Sequence, residues 1–238
     1  MQQSPDFDVI RGFQIEGTDP PHRALIPNIE PVKHLLVLLH GYGADADDLF
    51  PIARQLAPVL PGTAIVSLEA PEEIPGGMFG GRQGFPIARI DPAELDHGAQ
   101  MARGYVTTAL KGLKQRFELE WGDIALFGFS QGCMMSLEVG LRLPEPLAYV
   151  LGYSGALPAP DRALSEASSR PPFLLVHGED DAVVPFNSMD EAAKTLAELG
   201  APVETFVRPG LGHGIDGEGL QAALLKLRTA FGMGDIDA

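Results

Sequence analysis

Residues 124–143 of this 238-residue chain have the sequence IALFGFSQGCMMSLEVGLRL, and this stretch decides the fold. A short apolar run of strand length enters Gly128-Phe129-Ser130-Gln131-Gly132, and a mostly apolar segment of helical length follows it. A G-x-S-x-G pattern between a strand and a helix predicts a tight turn that holds the serine in a strained conformation, with glycines where neighbouring backbone comes close. The turn is expected to expose the Ser130 hydroxyl beside a helix N-terminus, where free N–H groups favour negative charge.

The same alternation of strand and helix extends along the chain. Apolar runs of strand length that fit burial on both faces of a parallel sheet occur at residues 35–40, 64–68, 124–129, 148–153 and 173–177. Amphipathic segments between them predict helices at 92–117, with Asp91 as N-cap, and at about 46–57, 131–143, 187–199 and 217–231. We therefore predict an α/β-hydrolase: a mostly parallel central sheet with helices on both faces and no large lid domain.

The remaining segments predict an edge strand and two long loops. The alternating pattern over residues 7–15 indicates an antiparallel strand at the sheet edge, and Val203–Arg208 is a further strand candidate. Residues 69–90, rich in glycine, and the Pro/Ala/Ser-rich residues 157–172 are predicted to be surface loops. With no linker or internal repeat, residues 1–238 are expected to form one domain.

Composition limits the classes of partner. The formal net charge of −15 would repel nucleic-acid phosphates and anionic lipid headgroups, so neither nucleic acid nor stable membrane insertion is expected. The single cysteine, Cys133, cannot form an internal disulfide, and the first residues lack the pattern of a secretory signal. We expect a cytoplasmic protein.

Ser130 needs a base, and the base needs an acid that orients it. In α/β-hydrolases these residues follow the nucleophile in the order acid, then histidine. His213 is the histidine in the chain that comes late enough to leave room for an acid after an upstream strand. Three consecutive carboxylates, those of Glu179, Asp180 and Asp181, follow the strand at 173–177, and their spacing does not choose between them.

The fold also stabilises the oxyanion with two backbone amides, one after the nucleophile and one from the loop after an early strand. These positions predict the N–H groups of Gln131 and Tyr42 as the oxyanion hole.

Four motifs resemble those of one family. LLHGYGAD (38–45), GFSQG (128–132), HGEDDAVVP (177–185) and the GHG around His213 are similar to the carboxylesterase and acyl-protein thioesterase family, also called the phospholipase/carboxylesterase family. The resemblance implies that Asp181 is the acid, and that the chain hydrolyses small carboxylic esters of short to medium acyl length, and thioesters, without a metal or organic cofactor. A monomer or a homodimer is expected.

The chain departs from the family pattern at two positions. Cys133 stands where the family usually has glycine, and Gly84 stands where the substrate loop usually carries tryptophan. On the resemblance, Phe79, Arg82, Gly84 and Phe85 are expected to bind substrate, and Gly84 to change the tolerance for acyl chains. Cys133 is expected to pack in the core rather than to act as a second nucleophile.

Other functions are less well supported. A lysophospholipase or lipase-like hydrolase would need an apolar lid or interfacial surface, which the acidic sequence lacks. A non-catalytic binding protein of the same fold would not need a complete triad in the correct order. No HExxH pattern or comparable ligand cluster occurs, so no metal site is predicted.

Overall fold

An eight-stranded sheet forms the centre of the computed structural model, which describes residues 6–28, 31–75, 81–88 and 91–234. Its strand order is β1-β2-β4-β3-β7-β8-β9-β10, with β1 and β2 antiparallel to their neighbours and the other strands parallel. The short β5 and β6 form a separate antiparallel pair. The strands in chain order are β1 (Phe7–Phe13), β2 (His22–Pro27), β3 (His34–Leu39), β4 (Thr63–Leu68), β5 (Glu72–Glu73), β6 (Arg82–Gln83), β7 (Ile124–Phe129), β8 (Tyr149–Tyr153), β9 (Phe173–Gly178) and β10 (Val203–Arg208).

Helices cover both faces of the sheet. They are α1 (Phe50–Leu56), α2 (Pro92–Phe117), α3 (Gln131–Gly140), α4 (Pro160–Glu166), α5 (Asn187–Glu198) and α6 (Gly217–Ala230). In the central β3, Leu35 and Val37 pack into one core with α2, α3, α4 and α5, whereas Leu36 and Leu38 pack into a second core with α1 and α6. The continuous apolar strand is thus buried on both faces, which confirms the predicted α/β-hydrolase architecture.

Helix α2 begins where its capping residues predict. The Asp91 carboxylate accepts hydrogen bonds from the N–H groups of Ala93 and Glu94, at 3.1 and 3.3 Å, and Pro92 occupies the first turn. The helix ends at Glu118, which has a left-handed conformation with φ of 54°. Capped at both ends, α2 provides one wall of the core beneath the site.

Two regions differ from the predicted elements. The loop expected at 157–172 contains helix α4, and that prediction is wrong. Pro160 supplies a helical φ at the first turn and Asp161 favours the helix N-terminus, but a helix of 7 residues is too short to show periodicity. The edge strand expected at 7–15 is confirmed as β1, but its partner β2 was not predicted because His22 and Arg23 interrupt the apolar pattern.

Smaller differences concern the ends of elements. The helix expected at 46–57 begins only at Phe50, because Asp45 Oδ1 accepts a hydrogen bond from the Asp47 N–H and forms a turn there. The helix expected at 131–143 ends at Gly140, and the loop expected at 69–90 contains the β5–β6 pair. Among the described helices, none combines the length and the apolar sequence needed to cross a membrane.

Candidate active site

The predicted nucleophile lies in a sharp turn between β7 and α3. Ser130 has φ of 54° and ψ of −115°, a strained conformation for a residue with a side chain, and its N–H donates to the Tyr153 carbonyl at 2.9 Å. A Cβ at Gly128 would lie 2.2 Å from the Gly132 carbonyl oxygen, and one at Gly132 would lie 1.9 Å from the Leu39 carbonyl oxygen. Both glycines are therefore required by close backbone contacts, as the motif predicts.

The predicted base and one of the three acids lie in hydrogen-bond contact. His213 Nδ1 is 2.8 Å from Asp181 Oδ2. Because a carboxylate only accepts, Nδ1 carries the proton and Nε2 is left with the lone pair that a general base needs. The side chains of Glu179 and Asp180 are exposed instead, so Asp181 is the acid that the structure brings to His213.

The Asp181 carboxylate is held as an anion in a buried position. Its Oδ1 accepts hydrogen bonds from the N–H groups of Val183 and Val184, at 2.8 and 2.9 Å. Burial by itself raises the pKa of Asp181, but the hydrogen bonds from His213, Val184 and Val183 outweigh it and hold the pKa below its ordinary value. The carboxylate is therefore charged at neutral pH and can stabilise an imidazolium.

The loop that carries Asp181 contacts the loop that carries His213, and the latter contacts the turn at Ser130. The Asp180 N–H donates to the Leu211 carbonyl at 3.0 Å, and a Cβ at Gly178 would lie 2.2 Å from the same oxygen. The His213 ring packs against Phe129, the residue before Ser130, with ring centroids 4.9 Å apart. Since β7, β8, β9 and β10 are parallel, the loops after them lie at one edge of the sheet, which brings the segments that carry Ser130, Asp181 and His213 to the same edge.

The two predicted oxyanion amides are available to a ligand. Within the described residues, neither the Tyr42 nor the Gln131 N–H donates to a backbone carbonyl. A Cβ at Gly41 would lie 3.4 Å from the Ser130 Cβ, so the loop after β3 packs directly against the nucleophile turn. The donors and Ser130 thus belong to one compact region.

His40 and Arg82 connect the loop that carries the predicted oxyanion donor to residues 70–71, a role that the sequence did not reveal. The Arg82 carbonyl accepts the Gly43 N–H of this loop at 2.8 Å. His40 Nδ1 donates to the Gly41 carbonyl at 2.8 Å, and its Nε2 accepts from the Ala70 N–H at 3.1 Å. Arg82, which is expected to bind substrate, donates to the carbonyls of Ala70 and Pro71 at 2.6 and 2.8 Å. Its guanidinium therefore braces the loop around residues 70–71.

The Gln131 side chain connects the nucleophile turn to the predicted substrate loop. It is buried, its Oε1 accepts a hydrogen bond from the Gly84 N–H at 2.8 Å, and its Nε2 donates to the Phe85 carbonyl at 2.7 Å. No local pattern in the sequence indicates this contact, since the partners lie 46 and 47 residues apart. The predicted substrate loop is consequently fixed to Gln131, whose backbone amide is one of the two predicted oxyanion donors.

Gly84 lies between a small cavity and an open groove. The cavity, of about 30 Å³, includes Gly84, Gln131 and Met135 in its wall, and the groove, of about 470 Å³, extends along Phe85 to the exposed Met101. Both are lined by Pro71, Gly84, Ala102 and Tyr105. Phe79, also expected to bind substrate, lies outside the described residues.

Cys133 is buried in the first turn of α3, as expected. Burial raises the pKa of its thiol to about 12, so the thiol stays protonated and is a poor nucleophile. Met134 and Met135 are buried in the same core.

The sheet and its loops define the class of the protein, an α/β-hydrolase. A family model described as Phospholipase/Carboxylesterase matches residues 20–230, and the chain belongs to this family. It is a carboxylic ester hydrolase.

Similar proteins carry related names. Esterase YpfH of Escherichia coli is 28% identical over 199 residues, 84% of each chain. Acyl-protein thioesterase 1 of Schizosaccharomyces pombe is 35% identical over 174 residues, 62% of this chain and 77% of that protein. The crystal structure of esterase PE8 superposes with a TM-score of 0.83 at 37% identity, covering 87% of this chain and 97% of that one.

Proposed function

We propose that the chain hydrolyses carboxylic esters and thioesters through an acyl-enzyme on Ser130. The observation that carries the proposal is the 2.8 Å contact between His213 Nδ1 and Asp181 Oδ2, beside a serine held at a strained turn. This contact leaves His213 Nε2 unprotonated, which is the state that accepts the serine proton. No cofactor is required for either half of the reaction.

The first half-reaction forms the acyl-enzyme. Ser130 Oγ attacks the carbonyl carbon as its proton passes to His213, and the Asp181 carboxylate stabilises the resulting imidazolium. The amides of Tyr42 and Gln131 bind the oxyanion, a contribution of about 3 kcal/mol for each donor. Collapse of the tetrahedral intermediate expels the alcohol or thiol, which takes the proton from His213.

The second half-reaction releases the acid. Water gives a proton to His213 as its oxygen attacks the acyl carbonyl carbon. The second tetrahedral intermediate then breaks its bond to Ser130 Oγ, which takes the proton back from His213 as the acid leaves.

A fluorophosphonate probe tests the nucleophile directly. It should label the wild-type protein at Ser130 and fail to label Ser130→Ala, and p-nitrophenyl ester hydrolysis should be lost in the same variant. Equal labelling of both proteins would assign the reaction to another residue. Cys133→Ala is the control, since its buried thiol should make no contribution.

Gly84 is proposed to set the acyl-chain range. A Cβ at this position would point to Gln131 and Met135, 3.5 Å from Gln131 Oε1 and 3.9 Å from Met135 Cγ, both ordinary contact distances. A larger side chain would therefore fill the small cavity beside the nucleophile turn. Gly84→Trp should lower kcat/KM for longer p-nitrophenyl esters relative to acetate, and an unchanged profile from acetate to palmitate would show that Gly84 does not select the chain.

The proposed enzyme has one domain and acts in the cytoplasm. Residues 1–238 would act as one catalytic domain, a monomer or a homodimer, on small esters and without stable membrane insertion. A cytoplasmic location fits the free thiol of Cys133. Phe79, Arg82, Gly84 and Phe85 are the residues proposed to bind substrate, and the Arg82 guanidinium also holds the backbone of residues 70–71.

A further inference from the structure

A second histidine, His177, lies against the carboxylate of Asp181. It is the last but one residue of β9 and its side chain is only 1% exposed. Its Nε2 lies 3.1 Å from the Val184 carbonyl oxygen and 3.2 Å from Asp181 Oδ2. Since a carbonyl only accepts, Nε2 carries a proton, and this N–H lies beside the oxygen that also accepts from His213.

The turn from Asp181 to Val184 is held from two sides. On the inside, Asp181 Oδ1 accepts the N–H groups of Val183 and Val184. On the outside, His177 Nε2 donates to the Val184 carbonyl. This bond fixes Val184, the residue whose own N–H binds Asp181 Oδ1. The ring of Phe186 packs edge-on against the imidazole, with centroids 6.0 Å apart, and restricts its rotation.

The Asp181 carboxylate has little freedom left in this arrangement. Rotation about its Cβ–Cγ bond would move Oδ2 away from His213 and would bring it out of contact with His177 as well. Without His177, the hydrogen bonds on Oδ1 and the bond from the Asp181 N–H to the Gly178 carbonyl would remain, but the turn would lose its side-chain link to β9 at Val184.

From these contacts we infer that His177 is a positioning residue for the triad, acting through Asp181 and not on the substrate. The inference rests on the proposed function, because it requires Asp181 to orient His213. It assigns a role to a buried imidazole that the reaction itself does not use.

The test compares three substitutions at this position. In His177→Gln the side-chain amide can place an N–H near the position of Nε2, whereas in His177→Asn the amide is too short to reach Val184, and His177→Leu has no donor. We expect kcat for p-nitrophenyl acetate to fall about 10- to 100-fold in the Leu and Asn variants with little change in KM, because small misplacements of a catalytic group have effects of this size. The Gln variant should recover most of the activity.

Two controls separate positioning from folding and from the proposed function. Labelling by the fluorophosphonate probe, followed to its end point, counts competent sites, so kcat is expressed per site even if a variant is partly unfolded. In an Asp181→Asn background, His177→Leu should have almost no further effect, since the route through Asp181 is already lost. Wild-type kcat per site in the Leu variant, or equal activity of the Asn and Gln variants, would overturn the inference.

The failure of the broader proposal has a different signature. If the wild-type protein shows no ester hydrolysis and no fluorophosphonate labelling at Ser130, the triad assignment itself is wrong. If the wild type is labelled but the His177 variants match it, only the role of His177 is wrong.

Discussion

Asp181 is distinguished from its two acidic neighbours by burial and by its partners. Its side chain is fully buried and bonded on both oxygens, whereas Glu179 and Asp180 are exposed. Asp181→Asn should therefore lower kcat/KM for p-nitrophenyl acetate by roughly a thousandfold or more, since a neutral amide neither fixes the His213 tautomer nor stabilises the imidazolium.

The adjacent carboxylates provide matched controls for Asp181. Glu179→Gln and Asp180→Asn each remove one negative charge at almost the same place in the chain, and each should retain activity within about twofold because surface charges are screened. A large loss in Asp180→Asn, with Asp181→Asn unaffected, would reassign the acid.

At the level of single residues, the sequence predicts candidate site residues that a motif or the order along the chain identifies. It does not predict side-chain contacts between distant segments. Ser130 and His213 follow from a local motif and from order along the chain. Asp181 could not be chosen by spacing, because the turn at Val183 and Val184 decides which of three carboxylates points inward. The roles of Arg82 and of the Gln131 side chain depend on contacts with distant segments that no local pattern encodes.

Among the structural elements, the substrate loop is held by the Gln131 side chain. Gln131→Met keeps a similar volume and the backbone amide, but leaves the Gly84 N–H and the Phe85 carbonyl without their partner. We expect kcat/KM for medium-chain esters to fall about 5- to 50-fold, mainly through KM, on the basis of about 1–3 kcal/mol for two lost hydrogen bonds.

Hydrogen exchange gives an independent measurement of the Gln131 contact. Protection of the Gly84 amide should decrease in Gln131→Met, whereas Gln131→Glu, which keeps the acceptor, should retain more of it. Unchanged exchange together with unchanged KM would show that the loop is held by other contacts.

Three helices on one face of the sheet are joined by a buried ion network centred on Glu138 of α3. Its carboxylate, 1% exposed, lies 2.8 Å from Arg142 Nη1 and 2.9 Å from Arg162 Nη1, and Arg162 Nε also contacts Asp96 of α2 at 2.6 Å. Glu138→Leu would remove the buried anion that Arg142 and Arg162 share and would leave them only the more exposed carboxylates of Glu166 and Asp96. The lost hydrogen bonds should lower the free energy of unfolding by about 1–3 kcal/mol.

Urea denaturation measures this loss, with Glu145→Leu as the control. Glu145 is an exposed glutamate shortly after α3, so its substitution should change stability by less than about 0.5 kcal/mol. If both variants unfold at the same urea concentration, the network contributes nothing beyond a surface charge.

For the whole molecule, the sheet was predicted from sequence because its central strands are buried on both faces. Runs such as 35–40 and 124–129 are continuously apolar and therefore easy to recognise. Strand β2 begins with His22 and Arg23, and helix α4 is one of the shortest, so neither has a pattern strong enough to predict. The elements that the hydrophobic pattern did not predict, β2 and α4, therefore lie outside the central, doubly buried strands of the sheet.

One of these edge residues makes stability depend on pH. His22 is buried at the start of β2, where its Nδ1 accepts the Glu69 N–H at 3.0 Å and its Nε2 donates to Thr18 Oγ1 at 2.9 Å. Burial lowers the pKa of His22 to about 4, although the nearby carboxylates of Glu69 and Asp19 oppose the shift. Protonation of Nδ1 would also remove the acceptor that the Glu69 N–H requires.

The sign of the effect follows from the two pKa values. In the unfolded chain His22 has the ordinary pKa of about 6.5, so between pH 6.5 and 4 the unfolded state binds more protons and stability falls as the pH falls. Between pH 7.5 and 5 the wild type should lose about 2 kcal/mol more than His22→Asn, whose side-chain oxygen can still accept from Glu69 but does not titrate. Urea unfolding at both pH values measures this difference, in which the contributions of His34 and Asp181 cancel because both proteins retain them. Equal losses in the two proteins would mean that His22 is protonated in the folded state as readily as in the unfolded chain.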